Sequence, residues 1–209
     1  MAAPAPAALA QPCPDVEVIF ARGSGEAPGL GGTGQAFVDQ LRPLVGSRTL
    51  AVTPVNYPAS DNFSSPTFPA TVVDGVRDAA DRVRATAASC PNTKIVLGGF
   101  SQGAAVAGFA TANEVPAGVP AAVVPEPLPP EVAGHVAAVV LFGTPSEEFL
   151  QRYNAPQLRV GPLFEPKTLE VCAPGDPVCG PGGNEAAHGL YAVNGQTAEG
   201  AGFAASKLA

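Results

Sequence analysis

Basic side chains are scarce in this 209-residue chain. Lysine and arginine total 11 against 18 aspartates and glutamates, the formal charge is -7, and no Lys/Arg cluster occurs anywhere. A partner held by its phosphate backbone needs such a cluster, so no nucleic acid is expected. Long apolar runs are missing too. None approaches the roughly 20 residues that span a bilayer, so no transmembrane segment is expected. Charged residues make up only 14% of the chain, yet apolar ones reach 46%. That balance belongs to a compact globular protein with a thinly charged surface, not to a disordered chain.

The N-terminus, "MAAPAPAALAQP", lacks a basic n-region and an apolar h-region. Residues 1–12 read as a flexible Ala/Pro tail behind a start Met, with any export signal already absent. The remaining length suits one domain with a sizeable core or at most two small ones. No internal repeat or dividing linker is present, so 13–209 is expected to fold as a single domain.

Cysteines fall at 13, 90, 172 and 179, and histidine occurs only twice. The interval from Cys172 to Cys179 is too wide for a CxxC redox motif or zinc knuckle. Two disulfides in an exported protein are the better reading. Three pairings are possible, of which Cys172 with Cys179 and Cys13 with Cys90 is the simplest.

Strand and helix patterns alternate along the chain. Strands are predicted at Val16–Ala21, Thr49–Tyr57, from Lys94 to Leu97, at His135–Gly143 and at Lys167–Val171. Helices are predicted at Gln35–Val45, at Ala70–Ser89, from Ala104 to Thr111, and in the tail after Gly195 with Phe203, Ala204 and Leu208 on one side. The helix at Ala70–Ser89 has a clear three- and four-residue apolar period through Val72, Val76, Ala79 and Val83. Pro116–Gly134, with six prolines, reads as a surface excursion. Apolar strands between helices predict an α/β fold, a parallel sheet sandwiched in three layers by helices, with right-handed crossovers.

Gly99-Phe100-Ser101-Gln102-Gly103 stands between a predicted strand and a predicted helix. In this G-x-S-x-G pattern the glycines admit a strained turn that lifts the serine hydroxyl out at the carboxyl edge of the sheet. A short Gly/Ser pattern also arises in ordinary turns; its place between strand and helix favours a nucleophile. The base must then be one of two histidines. His135 opens an apolar strand at the far end from the serine, whereas His188 follows downstream in a loop, and the order Ser, acid, His selects it. Asp176, 12 residues before His188 and between Cys172 and Cys179, is the preferred acid over Glu170 and Glu185, because an orienting carboxylate must be rigid. The backbone N–H of Gln102 supplies one donor for a developing oxyanion. "ARGSGE" (Ala21 to Glu26) follows the first strand and offers Ser24 for the second. Its glycines do not match a phosphate-binding loop, since no Lys-Ser/Thr follows them.

Together "ARGSGE", "GGFSQGAA", "LFGTP", "CAPGDPVC" and the following His188 resemble the cutinases, most closely the mycobacterial cutinase-like serine esterases. The resemblance runs from Cys13 onward. It implies a small lidless α/β-hydrolase with a five-stranded parallel sheet, no metal and no cofactor. It further implies Ser101 as nucleophile, His188 as base, Asp176 as acid, Ser24 and Gln102 as the oxyanion hole, and bridges Cys13–Cys90 and Cys172–Cys179. Fungal relatives carry an apolar stretch between the last cysteine and the histidine; here "GPGGNEAA" is polar and flexible. Phe63, Phe68, Val178 and Leu190 are candidates for a remaining apolar rim. The expectation is a secreted or cell-wall-associated monomer that cleaves short- to medium-chain esters, including lipid or polyester substrates. The competing readings are an acetylxylan esterase and a non-catalytic wall- or lipid-binding protein on the same scaffold.

Overall fold

A computed structural model describes residues 12–209. Of the tail expected at 1–12, all but Pro12 lies outside the described residues. Five strands, Val16–Ala21 (β1), Leu50–Pro54 (β2), Lys94–Phe100 (β3), Val136–Phe142 (β4) and Thr168–Val171 (β5), form one sheet in the order β2-β1-β3-β4-β5. Every neighbouring pair is parallel. The helices are Gly31–Leu44 (α1), Phe68–Ser89 (α2), Gln102–Ala110 (α3), Pro130–Ala133 (α4), Glu147–Arg152 (α5), Glu185–His188 (α6) and Gln196–Leu208 (α7). No helix among the described residues is long and apolar enough to cross a membrane.

Alternation along the strands builds a core on each face. Ile19, Ile95, Leu97, Val139 and Leu141 pack beneath Val76, Ala79, Ala80 and Val83 of α2 and Val106 and Ala107 of α3. Val18, Phe20, Val96, Val140 and Phe142 face Phe37, Val38 and Leu41 of α1 and Ala201, Ala204 and Leu208 of α7. Each fully covered Val, Leu, Ile or Phe contributes roughly 1.5–3 kcal/mol, so the sheet is a rigid platform for whatever its carboxyl edge carries. In α7 the expected Ala204 and Leu208 are buried, while Phe203 is only partly covered.

Several boundaries differ from the expectation for physical reasons. β3 continues through the glycines to Phe100, because the strand must pass closely under the neighbouring helix (see below). α1 starts at Gly31, within a glycine run that propensity disfavours. The Glu26 carboxylate compensates, accepting from the N–H groups of Gly32 (2.7 Å) and Gly23 (2.6 Å) at the positive end of the helix. The proline-rich excursion contains the single turn α4, and it buries Leu128 and Ala133 against the α2 side of the core. β2 stops at Pro54, short of Tyr57.

The strand order reverses direction between β1 and β3. Loops leaving those two adjacent strands open away from each other and leave a crevice at the carboxyl edge, where open α/β sheets hold their ligands. β1 is in register with β3 as far as Ala21 and Gly99. The "ARGSGE" loop and the serine turn therefore flank the same crevice.

Candidate active site

Ser101 sits between the last residue of β3 and the first of α3, with φ 55° and ψ -119°. A non-glycine residue in this left-handed region costs about 1–3 kcal/mol and persists only where its surroundings impose it. Here the Ser101 N–H donates to the Phe142 carbonyl at the end of β4 (2.9 Å), and the Ser101 carbonyl accepts from the Ala105 N–H (3.1 Å). The flanking glycines permit the turn. A Cβ on Gly99 would fall on the backbone of Gly103, and one on Gly103 would fall on the backbone of Ala21 and Arg22.

His188 Nε2 lies 2.8 Å from Ser101 Oγ, and His188 Nδ1 lies 2.8 Å from Asp176 Oδ2. The three residues, 87 and 12 positions apart along the chain, thus form one hydrogen-bonded line. The histidine is the C-terminal residue of α6, a helical turn where a loop was expected. Its side chain is 22% exposed, and that of Asp176 is fully enclosed. Burial alone would raise the Asp176 carboxyl. Hydrogen bonds from His188, Tyr191 and the Val178 N–H outweigh it and hold the group below the ordinary carboxylate range. Asp176 is therefore ionised at neutral pH and able to fix the imidazole with Nδ1 protonated and Nε2 free to accept from the serine.

The disulfides are Cys13–Cys90 and Cys172–Cys179. The second closes the loop that carries Asp176. The "GPGGNEAA" segment, expected to be flexible, is folded back on that loop: the Asn184 N–H donates to the Gly175 carbonyl (3.0 Å). Gly143 of "LFGTP" provides space, since a Cβ there would stand 3.0 Å from the His188 ring and 3.1 Å from the Tyr191 hydroxyl. His135 precedes β4 at the opposite edge of the sheet, and Glu170 and Glu185 make no contact with the imidazole nitrogens.

The expected oxyanion donors are the backbone N–H groups of Gln102 and Ser24. That of Gln102 opens α3 and has no carbonyl one turn earlier to bond. That of Ser24 has no acceptor among the described residues, and neither does its hydroxyl. The loop holding Ser24 is secured by Arg22, a buried guanidinium that donates to the carbonyls of Glu26 (2.8 Å), Tyr57 (2.8 Å) and Pro58 (3.3 Å). The Tyr57 hydroxyl returns a bond to the Arg22 carbonyl, and the Gly25 N–H donates to Ala59 O (2.8 Å). The Gln102 side chain reaches the same segment through Ser60 O (3.1 Å). A buried guanidinium is costly unless its donors are engaged, and here Nε and Nη2 reach three carbonyls. Among the described residues no group of three or more His, Cys, Asp or Glu side chains converges as a metal site requires.

The family model for cutinase matches residues 12–208. The chain belongs to the cutinase family. It is 58% identical over 164 residues to the probable carboxylesterase Culp7 of Mycobacterium tuberculosis, covering 78% of this chain and 88% of that protein. Among solved structures it resembles a Trichoderma reesei cutinase in complex with a C11Y4 phosphonate inhibitor, at 34% identity and TM-score 0.72, covering 95% of this chain and 78% of the other. An acetyl xylan esterase matches with TM-score 0.75 over 95% of this chain and all of its own, but at 24% identity this shows the shared fold alone.

In this cutinase-family chain two of the expected rim candidates, Phe63 and Phe68, belong to an aromatic cluster. Phe63 is exposed and packs on Phe68 (centroids 5.1 Å) and on Tyr153 (5.9 Å), which in turn meets Phe149 (5.2 Å). Leu190 is exposed beside His188, and Val178 is half-buried. Phe149 and Tyr153 went unanticipated because α5 did, although Ser146-Glu147-Glu148 is a legible helix start: Ser146 Oγ accepts from the Phe149 N–H. Arg22, Tyr57 and Tyr191 carry no comparable signal, since their roles depend on contacts distant in sequence.

Proposed function

We propose that this protein is a secreted serine esterase in which Ser101 attacks the ester carbonyl carbon while its proton passes to His188 Nε2. Asp176 stays ionised and stabilises the imidazolium that forms. The oxyanion is held by the N–H groups of Gln102 and Ser24. Collapse expels the alcohol, which takes the proton from His188, and leaves an acyl group on Ser101. Water, deprotonated by the same imidazole, then releases the acid and restores the serine. The chain's standing as a carboxylic ester hydrolase rests on its family. The assignment to these residues rests on one observation, the unbroken Ser101–His188–Asp176 line with both links at 2.8 Å.

Short- to medium-chain acyl esters fit the site's surroundings. The four-ring strip offers apolar contact on the surface, while the segment before His188 is polar and gives a long chain no continuous apolar bed. Two disulfides favour an oxidising compartment, hence export. We further propose one domain over 13–209, acting as a monomer.

The test is Ser101→Ala, which should lower kcat for p-nitrophenyl butyrate by about 10⁴–10⁶ and abolish labelling by a fluorophosphonate probe. A variant that cleaves the ester at a comparable rate refutes the assignment. An acyl-length series from acetyl to dodecanoyl should peak at short or medium chains; a peak at the longest chain refutes the substrate class.

A further inference from the structure

Tyr191 is the largest fully buried side chain among the described residues. Its ring packs against Phe100 (5.4 Å), Phe142 (6.2 Å) and the His188 imidazole (6.2 Å). A phenol enclosed this way must have partners for its hydroxyl, and those it has are specific. The hydroxyl accepts from the Ala173 N–H (2.9 Å) and donates to Asp176 Oδ2 (2.7 Å), with Cys179 Sγ at 3.3 Å. Oδ2 is the same oxygen that His188 Nδ1 engages, while Oδ1 accepts from the Val178 N–H (2.8 Å). The carboxylate is thus gripped on both oxygens, and Oδ2 divides its negative charge between a phenol and an imidazole.

We propose that Tyr191 is a positioning residue for the reaction, one that sets the orientation of Asp176 and tunes how strongly the carboxylate holds the proton on His188. The inference rests on the reading of Ser101, His188 and Asp176 as the reacting line. His188 and Tyr191 leave the chain three residues apart and reach Oδ2 together, over the space opened by Gly143. No proton leaves Tyr191 in the cycle. Burial, with the adjacent carboxylate adding to it against the Ala173 bond, pushes the phenol well above its ordinary value. It remains a donor throughout the working range. The titratable groups that face it are Asp176 from the disulfide loop and His188 from α6; β3 and β4 present Phe100 and Phe142, and Cys179 is bridged. A donor on a carboxylate lowers that group's proton affinity and with it the pull on a neighbouring imidazolium. Removing the donor strengthens that pull and loosens the carboxylate's orientation.

The experiment is Tyr191→Phe in the full chain, assayed on p-nitrophenyl butyrate across pH. The expected result is a fall in kcat of about 5–20-fold with KM within about twofold, and an acid limb of kcat/KM moved upward by about 0.5–1 pH unit. A residue that only fills the core would change stability and leave the limb in place. Because the phenylalanine orphans the buried Ala173 N–H, a second measurement keeps the shape intact. Replacing the chain's 3 tyrosines with 3-fluorotyrosine gives a stronger donor and should move the acid limb down. An unmoved limb in both proteins, with kcat within twofold of the parent, overturns the role of Tyr191 alone provided Ser101→Ala is inactive. An active Ser101→Ala instead overturns the reading on which it rests.

Discussion

The two disulfides perform separable tasks, and removing each in turn distinguishes them. Cys13–Cys90 closes 77 residues, and Cys172–Cys179 closes 7. On the chain-entropy account, cross-linking restricts the unfolded ensemble by an amount that grows with the logarithm of the loop, giving about 4.5 kcal/mol for the first bridge and about 2.4 kcal/mol for the second at 25 °C. For a domain of this size, that corresponds to Tm losses of about 9–18 °C and about 5–10 °C. Position reverses the ranking for activity. The long bridge ties the entry to β1 to the end of α2 at the amino edge of the sheet. Ser101 lies beyond the seven residues of β3, about 20 Å away. The short bridge encloses Asp176 and brings Cys179 against the Tyr191 hydroxyl. Cys13→Ala with Cys90→Ala should lose the greater stability in thermal and urea unfolding and keep kcat within about twofold at 25 °C. Cys172→Ala with Cys179→Ala should lose less stability and about 10-fold or more in kcat. Equal kcat losses in the two double variants, or full activity without the short bridge, would refute the argument that it constrains the acid.

Two further perturbations address the loop of Ser24 and the pH dependence. Arg22→Met leaves the carbonyls of Glu26, Tyr57 and Pro58 without their buried donor, so it should cost about 2–4 kcal/mol in urea unfolding and about 10–100-fold in kcat at 25 °C by freeing Ser24; unchanged kcat would show that this loop does not position the donor. Asp176 is held below its ordinary value in the folded protein, so its ionised form contributes stability that is fully present above the unfolded value of about 3.9 and is lost as pH falls through the folded value. Asp176→Asn should therefore be less stable than the parent at pH 7, with the gap closing below about pH 4; a gap that stays constant to pH 3 in urea titrations would contradict that sign.

Much of the candidate site was legible because its placement depends on local pattern. Gly99 and Gly103 around Ser101 are a backbone requirement that leaves a mark in any sequence, and Asp176 between two cysteines is a local constraint. The missed elements depend on contacts outside their own stretch, apart from α5, whose start at Ser146 is local. The glycine-rich start of α1 is helical because Glu26, in a different segment, caps it. The turn α6 that carries His188 exists because Asn184 is tied back to Gly175. The excursion at 116–134 contributes Leu128 to the core only because α2 lies beneath it.

By itself the sequence determined the alternation of apolar strands with helices and the sharp serine turn, since periodicity and glycine act through neighbouring residues. Only the tertiary structure decided that Oδ2 of Asp176 is shared between His188 and Tyr191, that Arg22 secures the loop of Ser24, and that Phe63 and Tyr153 meet on the surface. Those contacts join segments tens of residues apart, and their geometry is fixed by how α2, α5 and the loops pack on the sheet. No single stretch of chain encodes the distances on which a proton transfer depends.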